Sequence, residues 1–109
     1  VYSFLKIREI AGEKPVICVG DFNSTPETEQ IQTMQTLLQD AFKVTEMAPY
    51  GPVGTFNGFD YQAPLKERID YVFLSQHFKV LKYGVLTDSK DQRFPSDHLP
   101  VVVSTVLKQ

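Results

Sequence analysis

The chain has 109 residues, enough for one domain and too few for two ordinary ones. It is 42% hydrophobic and 22% charged, with eight Phe and five Tyr, a composition that buries a core and excludes disorder, collagen-like repeats and coiled coil. Eleven basic against thirteen acidic residues leave a formal charge of -2, without the basic excess of a dedicated nucleic-acid clamp.

Apolar residues at Val1, Phe4, Ile7 and Ala11 follow a helical spacing, and Gly12 stands where a left-handed C-terminal cap is expected. The chain opens in this pattern with no Met, so the natural start is expected upstream, together with any targeting signal. No apolar run approaches the ~18 residues needed to span a bilayer, and the expectation is a soluble segment of unassigned compartment. Pro15 introduces Val16-Ile17-Cys18-Val19, a continuous apolar run that suits a strand covered on both faces and ending at Asp21. Cys18, the single cysteine, is expected as a buried, inert thiol. Thr25 can cap a second helix with Pro26 at its first position, Glu27 and Glu29 in its positive first turn, and Ile31, Met34, Leu37, Leu38 and Ala41 as its buried stripe.

Phe42 and Val44 then alternate with polar neighbours, and Glu46 to Gly54 holds two Pro and two Gly around Tyr50, which predicts a surface loop. Thr55-Phe56-Asn57 and Ile69 to Leu74 read as strands separated by a mixed polar connection. Leu81, Tyr83 and Val85 alternate, and Val101-Val102-Val103 begins a last strand after Pro100. Two helices and about six strands result, in one unit covering 1–109 with no repeat or linker.

Four polar clusters abut these strand ends: Gly20-Asp21-Phe22-Asn23, Gly54-Thr55-Phe56-Asn57, Arg68-Ile69-Asp70-Tyr71 and Ser96-Asp97-His98. A carboxylate at the edge of an apolar strand costs desolvation unless it is paired, hydrogen-bonded or bound to a cation, so the three Asp call for partners. Taken singly, Asp21 could merely cap a turn and Asn23 could merely form an Asx-turn before Pro26. If the segment stays extended, Asn23 faces the same way as Asp21 and offers a neutral donor beside it.

With GDFNSTP, GTFNGF, RIDYVF and SDHLPV in this order, the chain resembles the endonuclease/exonuclease/phosphatase superfamily of divalent-metal phosphoesterases from about Val16 to Val106. The resemblance implies an α+β chain, the C-terminal half of a four-layer α/β/β/α sandwich, with a mostly antiparallel sheet and two covering helices. It implies catalytic roles for Asp21 at the attacking water, Asn23 at a phosphate oxygen, and His98 at the scissile phosphate with Asp70 orienting its ring. Asp97 resembles a metal-site carboxylate for Mg2+, with Mn2+ as an alternative, and Thr55 and Asn57 resemble substrate-binding residues. Arg68 is read as pairing with a site carboxylate or standing on the rim, Phe56 and Phe59 as core or pocket wall, and His77, which matches no motif, as a surface residue. The substrate class implied is a phosphoester, either nucleic acid or a small molecule, and the reaction phosphodiester, nuclease or phosphatase hydrolysis. A non-catalytic binding or assembly module that keeps the fold is the alternative.

The family takes a metal-binding Glu and a second catalytic His or Tyr from a first half that has no counterpart motif here. Glu9 and Glu13 lie in or just after the opening helical pattern and are not assigned. Half a sandwich leaves one apolar sheet face uncovered, so the isolated chain is expected to be inactive and to self-associate.

Overall fold

The computed structural model describes residues 2–62 and 64–108. Its elements are α1 (Tyr2–Ala11), β1 (Ile17–Asp21), α2 (Glu29–Leu37), β2 (Gln39–Asp40), α3 (Ala41–Val44), β3 (Asp70–Leu74), β4 (Phe78–Val85) and β5 (Val101–Leu107). The strands form two hydrogen-bonded sheets, one ordered β1-β3-β2 and the other a β4-β5 pair, and every named pairing is antiparallel. This is the α+β layout expected, with three helices in place of two.

The period of two along β3 divides the core. Tyr71 and Phe73 pack with Ile31, Met34 and Leu38 beneath α1 and α2, joined by Ile7, Val16, Cys18, Phe22 and Leu37. Leu74 joins a second cluster with Val80, Tyr83, Val85 and Leu99, where β4 and β5 pack, and Val72 lies against it. Burial raises the pKa of the half-buried Cys18 thiol and pushes the Tyr83 hydroxyl up to about 12.

Several expectations change. Gly12 does cap α1, at φ +58° with its N–H on the Arg8 carbonyl, while Val1 lies outside the described residues. β1 is not covered on both faces: Ile17 is 51% and Val19 62% exposed. Thr28, not Thr25, caps α2, because Thr28 bonds the Thr25 carbonyl through both its N–H and its hydroxyl. Those bonds fold residues 25–28 into a turn, which puts Pro26 and Glu27 ahead of the helix. Phe42 and Val44 lie on one helical turn instead of a strand, since the Asp40 carboxylate caps it at the Phe42 N–H.

Residues 46–54 are irregular as expected but not detached. Glu46, Met47 and Tyr50 donate to the carbonyls of Val80, Leu81 and Tyr83, so the segment runs along β4 as an extra edge. Gly51 makes this approach possible: at φ +85°, an added Cβ would stand 2.1 Å from the Val85 carbonyl oxygen. Thr55 to Asn57 form no strand, only a bridge between Phe56 and His98.

Arg68 neither pairs with a site carboxylate nor stands on the rim. It is buried, forks onto Asp40 at 3.1 and 2.8 Å, and lies over the rings of Phe42 and Tyr71. Removing one member of such a pair strands the other charge in the interior. Arg68→Met is therefore expected to lower stability by about 3–5 kcal/mol in chemical denaturation, and a loss below about 1 kcal/mol would contradict the buried pair.

Candidate functional site

The register of β1 on β3 builds the site. Ile17 faces Leu74, Val19 faces Val72 and Asp21 faces Asp70, so one sheet face reads apolar pair, apolar pair, carboxylate pair. Like charges directly opposite on an antiparallel ladder repel, and a cation between them relieves the conflict.

His98 stands between them. Its Nδ1 lies 2.8 Å from Asp70 Oδ2 and its Nε2 3.6 Å from Asp21 Oδ2, an ion-pair distance that is long for a hydrogen bond. The Asp70 hydrogen bond holds the imidazole pKa above its ordinary value. Desolvation opposes that rise, and the charges of Asp70, Asp21 and Asp97 add to it. Side-chain exposure falls from 36% at Asp21 through 27% at His98 to 17% at Asp70, so Asp21 and the Nε2 edge are the parts a ligand can reach. The ring is held from the side as well, by the edge of Phe56 at 5.3 Å between centroids.

Asp21 also shapes the chain after it. Its Oδ1 accepts the Asn23 N–H at 2.8 Å, and Asn23 adopts φ +49°. The extended path on which Asn23 would face the same way as Asp21 is thus broken at once, and Asn23 is an exposed turn residue next to the cluster. Tyr71 fastens this turn from below, its hydroxyl oxygen lying 2.7 and 2.9 Å from the carbonyl oxygens of Ser24 and Arg68, which share its single proton. Sequence reasoning passed over Tyr71, although its place directly after Asp70 in the RIDY run was a signal.

Thr55 and Asn57 do not face the site. Thr55 is fully buried, with its hydroxyl accepting the N–H groups of Ile69 and Asp70. Asn57 is buried too, donating to the Ser96 carbonyl and accepting the Phe59 N–H. Their polar atoms are engaged inside the protein, so both lie behind the site. Asp97 stands outside the three-residue group: Asp21, Asp70 and His98 each offer a ligand atom within 4.8 Å of the others, and Asp97 does not join them. Its carbonyl accepts the N–H groups of Asn57 and Gly58. His77 is exposed, as expected, and meets Ser75 Oγ at 2.7 Å.

A profile of the Endonuclease/Exonuclease/phosphatase family matches residues 1–98. No curated protein sequence matches significantly. Among solved structures, a functionally unknown conserved protein from Enterococcus faecalis is 33% identical at a TM-score of 0.88, over 97% of this chain and 42% of that one. A mannosyl-6-phosphatase from Bacteroides thetaiotaomicron is 34% identical at 0.85, over 97% of this chain and 43% of its own. The catalytic domain of human Nocturnin, solved with a bound sulfate anion, shares the fold at 22% identity and a TM-score of 0.66, over 97% of this chain and 38% of its own. The chain therefore spans less than half the length of the proteins it matches, as expected for half of the family's sandwich.

The Asp70 contact has a consequence for stability. Because the folded-state pKa of His98 is raised, its contribution is complete below the ordinary histidine value near 6.5 and is lost as pH rises through the raised value. Urea unfolding between about pH 5 and 9 is expected to show this loss on the alkaline side of 6.5. Asp70→Asn should flatten it, and an unchanged profile in that variant would contradict the pairing.

Proposed function

The chain belongs to the endonuclease/exonuclease/phosphatase family, and from that premise we propose that its protein hydrolyses phosphoester bonds with a divalent metal ion. The observation that carries this reading is the single imidazole held between two carboxylates, one hydrogen-bonded and one at the open edge. Asp70 fixes the Nδ1–H tautomer and favours the imidazolium, whose Nε2–H then donates to an oxygen of the phosphate as negative charge grows there. Asp21, the most open of the three, accepts a proton from the attacking water or orients it. Asn23 offers an uncharged donor to another phosphate oxygen from the exposed turn.

The donor chemistry fits a hard cation such as Mg2+, or Mn2+, which takes oxygen ligands and needs one or two carboxylates beside its waters. Among the described residues, the carboxylates close enough to share an ion are Asp21 and Asp70, and Asp97, outside that group, adds its negative charge near His98. When bound, the ion would polarise a phosphoryl oxygen. The mannosyl-6-phosphatase likeness and the net charge of -2 both favour a small phosphomonoester over duplex nucleic acid.

In the complete protein, Asp21→Asn is expected to lower turnover by roughly 10²–10⁴-fold with little change in stability, the amide being nearly isosteric. Phosphate release measured with Mg2+ and again after chelation tests both the residue and the metal. A variant keeping more than about a tenth of wild-type turnover would end the Asp21 role.

The apolar trough formed by Ile17, Val19, Val72, Val101 and Val103 supports one more expectation. Leaving such a face in water costs about 25 cal/mol per Å2, and a second copy is the cover nearest to hand. The 109-residue chain alone should therefore self-associate and show negligible turnover. Light scattering at the column outlet, with a magnesium-supplemented phosphoester assay, checks this; a metal-dependent, active monomer would refute it.

A further inference from the structure

We propose that Thr55 is a positioning residue, whose hydroxyl sets Asp70 and His98 relative to one another; this rests on the reading that the pair serves phosphoester hydrolysis. The two members of the pair come from distant parts of the chain, and their 2.8 Å contact needs the main chain behind each to be fixed. Thr55 touches both. Its Oγ1 accepts the N–H of Ile69 and of Asp70, each at 3.1 Å, and its carbonyl accepts the N–H of Leu99, directly after His98, at 2.7 Å. Its own N–H donates to the Glu67 carbonyl at 2.8 Å, closing the segment onto the approach to β3.

The neighbours show why a hydroxyl is needed at this point. Arg68 is anchored on Asp40, and the Arg68 carbonyl on the Tyr71 hydroxyl, so the chain is pinned just before Ile69. The ladder with β1 takes hold at Asp70. Between these anchors the N–H groups of Ile69 and Asp70 turn to a side chain, and one hydroxyl oxygen with two lone pairs serves both. A methyl in its place keeps the volume and leaves two inward N–H groups without an acceptor, which the start of β3 relieves by shifting. Such a shift carries the Asp70 carboxylate with it, while the Leu99 contact, made by the main chain of Thr55, stays in place. The predicted damage is a misaligned Asp70–His98 pair in an otherwise folded protein.

The test compares Thr55→Val, Thr55→Ser and Ile31→Val in the complete protein. Ile31 is a fully buried residue of α2 that packs with Tyr71 and Phe73, on the sheet face opposite the one that carries Asp70, so its variant calibrates what lost stability alone does. Thr55→Val is expected to lower kcat roughly 10- to 100-fold with KM nearly unchanged, because an ångström of misplacement costs that much. Thr55→Ser should keep most of the turnover. The ring-nitrogen NMR signals of His98 should report the fixed Nδ1–H tautomer in wild type and Thr55→Ser and lose it in Thr55→Val. Should Thr55→Val keep both turnover and ring signature while melting earlier, as Ile31→Val does, Thr55 is structural only and the inference is overturned. Should Thr55→Ser fail as badly as Thr55→Val, the hydroxyl is not the cause. If the wild-type protein turns over neither sugar phosphates nor phosphodiesters with Mg2+, the hydrolase reading falls, and the ring signature alone decides for Thr55.

Discussion

Two carboxylates facing one another across an antiparallel ladder are the constraint on which the rest of this structure turns. The β1–β3 register sets Asp21 opposite Asp70, a pairing that repulsion disfavours, and the imidazole of His98 between them makes it tolerable. The register itself is not free to slip. A shift of one residue would send Ile17 and Val19 to the helix-covered face and bring Cys18 and Gly20 opposite the trough. Packing under α1 and α2 thus enforces an electrostatic arrangement that would not form by itself, which is how a site stores a geometry it cannot stabilise locally.

The three members are held by different means, and the means match their exposure. Asp70, the most enclosed, is fixed through backbone: the ladder on one side, and on the other a pinned stretch that begins at the buried Arg68–Asp40 pair. His98 is fixed through its ring, by Asp70 and the edge of Phe56. Asp21 caps its own turn with one oxygen and leaves the other near Nε2. Support becomes looser toward solvent, so the group that would meet water and substrate is also the one with most freedom to adjust to them.

The legible part of this site in the sequence was the set of strand-end charges. Asp21, Asp70 and His98 each interrupt an apolar run, and a charge there needs partners whatever the fold. Which residues stand in front and which behind was not legible. Thr55 and Asn57 carry the polar side chains a substrate pocket uses, but burial, which depends on where residues 65–69 and 96–99 fold back, turned them into internal acceptors and donors. The same blindness applies to α2: Thr25 and Thr28 are equally good caps by type, and only the bonds from Thr28 back to the Thr25 carbonyl choose between them. At 46–54 the Pro and Gly content read correctly as irregular, yet the pairing along β4 depends on distant carbonyls that local composition does not encode.

Period two ties the uncovered face to the site. On β1 the side chains of Ile17, Val19 and Asp21 share one face, as do Val72 and Asp70 on β3. The trough whose apolar residues want cover therefore runs directly into the carboxylates, a few ångströms per residue along the strand. Anything that covers Ile17 and Val19 ends beside Asp21 and removes water from the same edge where the cluster is open. The proteins this chain matches are more than twice its length. Cover on the trough would therefore act on the site as well: the apolar contact would supply free energy, and a dry boundary would strengthen every charge interaction among Asp21, Asp70 and His98.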